Sequence, residues 1–288
     1  MKNQNSAAEA TQIRLVRRSP EYWRVTVDHP PLNIFGPEML PQVGEIITAI
    51  ETDKQVKVVV FDSAVEGFFM IHLDFLANLD PLAHLPPGNT GLHPWPDMLV
   101  RLSRAPVVSI ASIRGRTTGM GSELALACDM RFVSREKAVL SQFEVGAGLV
   151  PGGAVMARMS RLMGRGRALE VILSADDVPG ELAERYGYVN RSLPDAELDG
   201  FVDALATRIA SFDKQVLMDT KRLVNVASLP PDIEVESGWG ACVASMARPA
   251  TQERIKELIG RGFCKPGDAE NRLGDFVGQH VLSLERGQ

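Results

Sequence analysis

The sequence predicts an α/β fold followed by a helical C-terminal region, and three observations carry that prediction. Residues 56–62, VKVVVFD, and 105–113, APVVSIASI, are continuous runs rich in β-branched residues, as strands buried on both faces are. Segments with apolar residues at helical spacing stand between and after them, so strands and helices alternate over the first two thirds. Beyond residue 195 only helical patterns remain, interrupted at Pro230, Pro231, Pro249 and Pro266.

The elements follow in order. Residues 1–11 are polar and are expected to be a disordered tail. IRLVRR (13–18) and YWRVTVD (22–28) read as strands; in the second, Trp23, Val25 and Val27 alternate with polar residues. HPPLN (29–33) ends that strand. Residues 37–52 form an amphipathic helix with Met39, Leu40, Val43, Ile46, Ile47 and Ile50 on one face. The Pro- and Gly-rich stretch 80–96 reads as a long loop, of a length that within a compact domain is usually functional. A helix around residues 97–103 leads to the buried strand 105–113 and to GRTTGMGSELALACDMRF (115–132), a glycine-rich turn opening an apolar helix. MRFVS and AVLSQ read as short strands. GAGLVPGGA (146–154) is a second glycine-rich turn, followed by helices 155–163 and 167–173. The expected organisation is a core over 12–194 and a helical region over 195–288.

Composition narrows the function. The chain has 288 residues, 45% of them hydrophobic and 23% charged, which is ordinary for a globular protein. A net charge of -5 argues against nucleic acid as a partner, because phosphate binding needs a concentrated basic face. Cys128, Cys242 and Cys264 form no C-x-x-C pair, so neither a disulfide framework nor a zinc site is expected. The N-terminal MKNQNSAAEATQ lacks the apolar run of a signal peptide, and no stretch approaches the roughly 18 apolar residues of a membrane span. A cytoplasmic location with no membrane partner is expected.

Gly115, Gly119 and Gly121 are spaced G-x-x-x-G-x-G, which is neither a P-loop nor a dinucleotide fingerprint. What remains is a strand, a tight turn and a helix N-terminus, which present unpaired N–H groups suited to a developing oxyanion or to a phosphate. Glu123 sits in the first helical turn. The dipole alone favours an acid there, yet the helix is apolar on all sides, and a carboxylate entering a core needs partners or a purpose. Glu144, between a strand and the second glycine-rich turn, is the other carboxylate candidate. Two acids flanking one pocket can hold a water between a base and a proton donor. Asp74 reads as the N-cap of a short helix. His72 lacks a second histidine at metal spacing, Cys128 reads as an inert mid-helix core thiol, and no G-x-S-x-G elbow supports a serine hydrolase. No metal site is predicted.

Four blocks together resemble the crotonase superfamily, the enoyl-CoA hydratase/isomerase family, from about Ile13 to Pro194 and more loosely beyond. PPLNIFGPEML is similar to its early P-x-N stretch, FMIHLD to F-x-A-G-x-D, the 105–134 block to P-V-I-A-A-V-N-G…G-G-G-x-E-L-A-L-x-C-D-x-R, and SQFEVGAGLVPGGA to F-x-x-P-E…G-x-x-P-G-x-G. The resemblance implies a crotonase-like spiral of repeated ββα units, a homo-trimer or hexamer, and an acyl-CoA thioester substrate, with coenzyme A entering only as part of that substrate and no separate cofactor. It implies Glu123 and Glu144 as catalytic acids and the N–H groups of Leu73 and Met120 as an oxyanion hole. Asn33, His72, Asp74, Gly119, Gly121 and Gly148 are implied as substrate-binding positions. An enoyl-CoA hydratase of fatty-acid metabolism is the expected activity. An isomerase with Glu144 as main base, a hydrolase of a non-CoA carbonyl compound, and a scaffold that has lost activity are the alternatives. Three positions depart from the pattern: His72 and Met120 replace glycines and Phe143 replaces a proline. The tail beyond Arg248 also departs from the family's short ending.

Overall fold

The computed structural model describes residues 11–285; residues 1–10, most of the expected disordered tail, lie outside them. The large sheet is built from β1 (Ile13–Arg17), β2 (Tyr22–Val27), β3 (Val58–Ser63), β5 (Val108–Ile113), β7 (Met130–Ser134) and β10 (Arg191–Leu193), paired in that order. β1 and β2 are antiparallel, and every later pairing is parallel. A smaller sheet takes β4 (Phe68–Met70), β6 (Arg116–Thr118), β8 (Val139–Ser141) and β9 (Val178–Pro179). Three successive strand pairs, β3–β4, β5–β6 and β7–β8, each send their first strand to the large sheet and their second to the small one. Helices Pro94–Arg104 and Met120–Ala127 follow the first two pairs, and helix Val155–Met163 comes after the third. The chain therefore winds as a spiral of ββα units.

The apolar run of β3 is explained by its two neighbours. Val59 and Phe61 enter the main core with Ile47 and Leu102, while Val58 and Val60 pack against Leu198, Val202 and Ala206 of helix Asp195–Ala210. A strand covered on both faces has no position left for a polar residue. Helices Lys214–Ser228, Asp232–Met246, Pro249–Gly260, Asp268–Asn271 and Leu273–Glu285 complete the C-terminal region, and each Pro break separates two of them. Among the described residues no helix is long and apolar enough to cross a membrane.

Several local expectations change. The stretch 80–96 is not all loop: it holds helix Asp80–Ala83, and the next helix begins at Pro94, where a proline costs no hydrogen bond. Trp95 is thus a helical residue of the first turn. Asp74 caps no helix; its Oδ1 accepts the Leu76 N–H at 2.9 Å in a turn. Cys128 lies at the C-cap of helix Met120–Ala127 rather than within it, and burial pushes its thiol up to about 12.

Gly121 in helix Met120–Ala127 is set by packing. A Cβ there would lie 1.8 Å from the Met70 carbonyl oxygen of β4, so helix and strand touch backbone to backbone. Gly121→Ala is expected to destabilise the fold by about 3 kcal/mol or more, since neither backbone can yield without moving an element. Denaturant midpoints measure this, with Gly166→Ala as control because a Cβ at Gly166 meets no atom within 4 Å.

Candidate active site

One narrow cavity of about 60 Å³ gathers residues from four segments: His72, Leu73 and Phe75 after β4; Gly119, Met120 and Glu123 at the opening helix; Phe143, Glu144, Leu149, Val150 and Gly152 around the second turn; and Trp239, Cys242 and Met246. The last three are spaced i, i+3 and i+7 on helix Asp232–Met246 and lie on one face of it. Of the residues singled out from sequence, Glu123, Glu144, Leu73, Met120, His72 and Gly119 meet here.

The other four do not line the cavity. Asn33 is fully buried, and its Nδ2 donates to Ser63 Oγ and the Phe69 carbonyl, both at 2.8 Å, while its Oδ1 accepts the His29 N–H at 2.7 Å. Its polar atoms brace the turn between β2 and β4. Gly121 packs on Met70, and Gly148, with φ +81°, ends the 3₁₀ helix Glu144–Ala147. Asp74 lies in the turn already described.

Glu123 projects from the first turn of a helix whose other residues from Gly121 to Ala127 are all buried. Trp95 Nε1–H donates to its Oε2 at 2.5 Å, and the Gly152 N–H donates to it as well. Those donors favour the carboxylate, but burial outweighs them and pushes Glu123 up to about 7. Glu144 starts the 3₁₀ helix, and its Oε2 has no partner among the described residues. Burial first, then the neighbouring charge of Glu123, pushes it up to about 8. The two acids therefore share a buried site under different conditions: Glu123 has donors from Trp95 and Gly152, whereas Glu144 Oε2 has no partner among the described residues and the charge of Glu123 pushes it further toward its neutral form. Between pH 7 and 8 the pair favours a single negative charge.

Leu73 and Met120 line the same cavity as these acids. The His72 carbonyl accepts the Phe35 N–H at 3.0 Å, so the Leu73 N–H of the same trans peptide points the opposite way. The Gly119 carbonyl accepts the Glu123 N–H at 2.9 Å as the first helical bond, so the Met120 N–H points back out of the helix N-terminus. Neither N–H donates a hydrogen bond among the described residues. A Cβ on Gly119 would lie 3.0 Å from the His72 Cα, so the two peptides are neighbours.

His72 turns its ring away from solvent between aromatic neighbours, stacked on Phe263 at 4.4 Å and tilted against Phe143 at 5.0 Å. Its Nδ1 meets the Leu73 carbonyl at 2.9 Å and its Nε2 meets Glu270 Oε2 at 3.0 Å. Cys264 completes a buried group whose possible ligand atoms lie within 4.8 Å of one another. Each is already engaged: Glu270 Oε1 accepts the Cys264 N–H at 2.7 Å, and the thiol takes the N–H groups of Phe75 and Leu76.

Sequence reasoning missed Trp95, Trp239, Cys242 and Glu270. Trp95 had a signal in P-W-P, a proline-marked helix start that carries a large donor. His93 stacks on Trp239 at 4.5 Å, which ties the helix Asp232–Met246 to that same turn. Glu270 lies 198 residues from His72, and no local pattern could have paired them. The Cys242 thiol is pushed up by burial and by the charges of both glutamates, which leaves it no nucleophilic character.

The enoyl-CoA hydratase/isomerase family model matches residues 21–236, about three quarters of the chain. The chain is 30% identical over 204 residues to a short-chain-enoyl-CoA hydratase of Clostridium acetobutylicum, covering 70% of this chain and 76% of that protein. It is 29% identical over 221 residues to a crotonyl-CoA hydratase of Syntrophomonas wolfei, covering 74% and 83%. A Streptomyces avermitilis structure, provisionally described as an enoyl-CoA hydratase, superposes with a TM-score of 0.88 at 39% identity, over 93% of this chain and 96% of that one. The spiral of ββα units and these likenesses together make the chain an enzyme of the enoyl-CoA hydratase/isomerase family, with the crotonase fold.

Proposed function

We propose that this chain is an enoyl-CoA hydratase, adding water across the α,β double bond of an acyl-CoA thioester. The observation that carries the reading is the shared cavity of Glu123 and Glu144, the first with donors from Trp95 and Gly152 and the second with one carboxyl oxygen that has no partner among the described residues. The thioester oxygen is received by the N–H groups of Leu73 and Met120, which strengthen their hold as it gains enolate character. Glu123, ionised, takes a proton from water as the oxygen bonds to the β-carbon. Glu144, protonated, gives its proton to the α-carbon. One proton enters the pair and one leaves it, so the site's total charge is unchanged while the electron pair of the double bond becomes the new C–H bond.

The apolar lining of Phe75, Phe143, Leu149, Val150, Trp239 and Met246 supports an acyl chain as occupant and excludes bulk water from the acids. Apolar residues exposed on and after helix Lys214–Ser228, including Leu223, Val226 and Ile233, support assembly with further copies as a trimer or hexamer. The reaction is tested with crotonyl-CoA in ¹⁸O-labelled water. One labelled oxygen in a 3-hydroxyacyl product is expected. A product that is an isomer without label overturns hydration in favour of double-bond migration.

A further inference from the structure

We infer that Glu270, in the C-terminal tail, is a positioning residue of the active site: through His72 it holds the Leu73 carbonyl, and so the far side of the residue whose N–H is the proposed donor. The inference rests on the proposed role of that N–H, and it assigns a purpose to both His72 and the tail.

A carbonyl oxygen can only accept, so His72 Nδ1 must carry the hydrogen that bonds the Leu73 carbonyl. The remaining nitrogen, Nε2, faces Glu270 Oε2, and one proton lies between them. Whichever atom holds it, imidazole and carboxyl together contain two protons and no bonding atom of theirs is left without a partner. Both side chains are almost wholly shielded from solvent, at 1% and 0% exposure, so water cannot replace either partner.

The chain of contacts then runs to the reacting position. His72 bonds the carbonyl of Leu73, and its own carbonyl is held by Phe35 while the Asp74 N–H bonds the Phe35 carbonyl at 2.9 Å. The peptide before Leu73 is therefore anchored by the Phe35 N–H, and the peptide after it by the Phe35 carbonyl together with the imidazole. The imidazole is held in turn by Glu270 and by the Phe263 ring, both from the tail. The tail is itself locked in place. Arg116, in β6, donates to the Asn271 carbonyl at 2.6 Å, and Leu258, Phe263, Leu273 and Val277 share a core with Phe143, Ala147 and Leu149 around the turn bearing Glu144. The family match ends at residue 236, so this support comes from outside the matched region. A glycine at position 72 could not make it.

The test uses the full chain with Glu270→Ala and Glu270→Gln, read two ways. The first is kcat and KM for crotonyl-CoA. The second is the carbonyl stretching band of bound butyryl-CoA labelled with ¹³C at its thioester carbon, which cannot be hydrated and reports the hydrogen bonds to its oxygen directly. Glu270→Ala is expected to lower kcat by about tenfold or more, a fraction of the full loss of an oxyanion donor, with KM within about threefold. The displacement of the carbonyl band to lower frequency should shrink with it. Glu270→Gln should recover most of both, because its amide N–H can donate to Nε2 while its oxygen still accepts the Cys264 N–H.

Should Glu270→Ala fail to fold, His72→Gln, which lacks the two opposed ring nitrogens that link Glu270 to the Leu73 carbonyl, is expected to show the same loss of kcat and band shift. Folded variants with wild-type kcat and band position overturn the inference, as does a Glu270→Gln no better than Glu270→Ala. Failure of the underlying reading looks different. A wild-type protein that binds butyryl-CoA with no band displacement refutes the Leu73 donor, and the inference falls with it. A displaced band without hydration of crotonyl-CoA refutes only the reaction, and the variants' bands still decide the role of Glu270.

Discussion

Glu123→Gln and Glu144→Gln are each expected to lower kcat for hydration by about 10²–10⁴-fold, with much smaller changes in KM. Both substitutions keep size and shape, so the cavity stays filled. In Glu123→Gln the amide oxygen can still accept from Trp95 Nε1–H, whose bond to the native Oε2 is 2.5 Å long. What is lost is the ability to take a proton from water. In Glu144→Gln the lost function is the delivery of a proton to the α-carbon. Because addition of water needs both transfers, the double variant should fall little further than the worse single one. Steady-state rates with crotonyl-CoA and thermal melts of each variant measure this. Two single variants that retain turnover near wild type would remove the acid pair from the mechanism.

The same two groups set how activity and stability depend on pH. Activity needs one proton on the pair, so kcat/KM should be bell-shaped, with limbs near pH 7 and pH 8 that belong to the pair and not to either residue. In Glu144→Gln the residual activity should keep its rising limb and lose the falling one, since only Glu123 still titrates. Stability follows from the direction of the shifts. Both acids are raised from an ordinary 4.5, so between that pH and their folded values the folded chain binds more protons than the unfolded one. Their contribution is thus complete below about pH 4.5 and is lost as pH rises through 7 and 8. For Glu123 alone the change is on the order of a few kcal/mol. Relative to wild type, the double Gln variant should therefore gain stability between pH 5 and pH 9. Denaturation curves at both pH values check it, and parallel behaviour of the two proteins would mean that the acids are not buried as described.

The parts of this design that were legible in sequence are those with a local signature. The β-branched run of β3 announced a strand covered on both faces, and Val58 to Phe61 are covered by the two layers described. The glycine-rich turn before Glu123 announced a helix start that leaves N–H groups free, and Met120 has one. Asn33 shows the limit of motif reading: its place in the P-P-L-N stretch suggested ligand binding, yet its side chain is consumed by Ser63, Phe69 and His29. Trp95 was misplaced because a segment with so many prolines and glycines reads as loop, although its last proline pair begins a helix.

By itself the sequence determined the α/β class, the order of strands and helices, and the residue types able to do acid–base chemistry, because periodicity and turn residues act over a few neighbouring positions. Only the tertiary structure decided that Glu123 and Glu144 share one buried cavity, that Trp95 and the Gly152 N–H donate to one of them, and that a tail glutamate bonds His72. Those properties depend on desolvation and on hydrogen bonds between residues as much as 198 positions apart, and neither has a period that a linear chain can display.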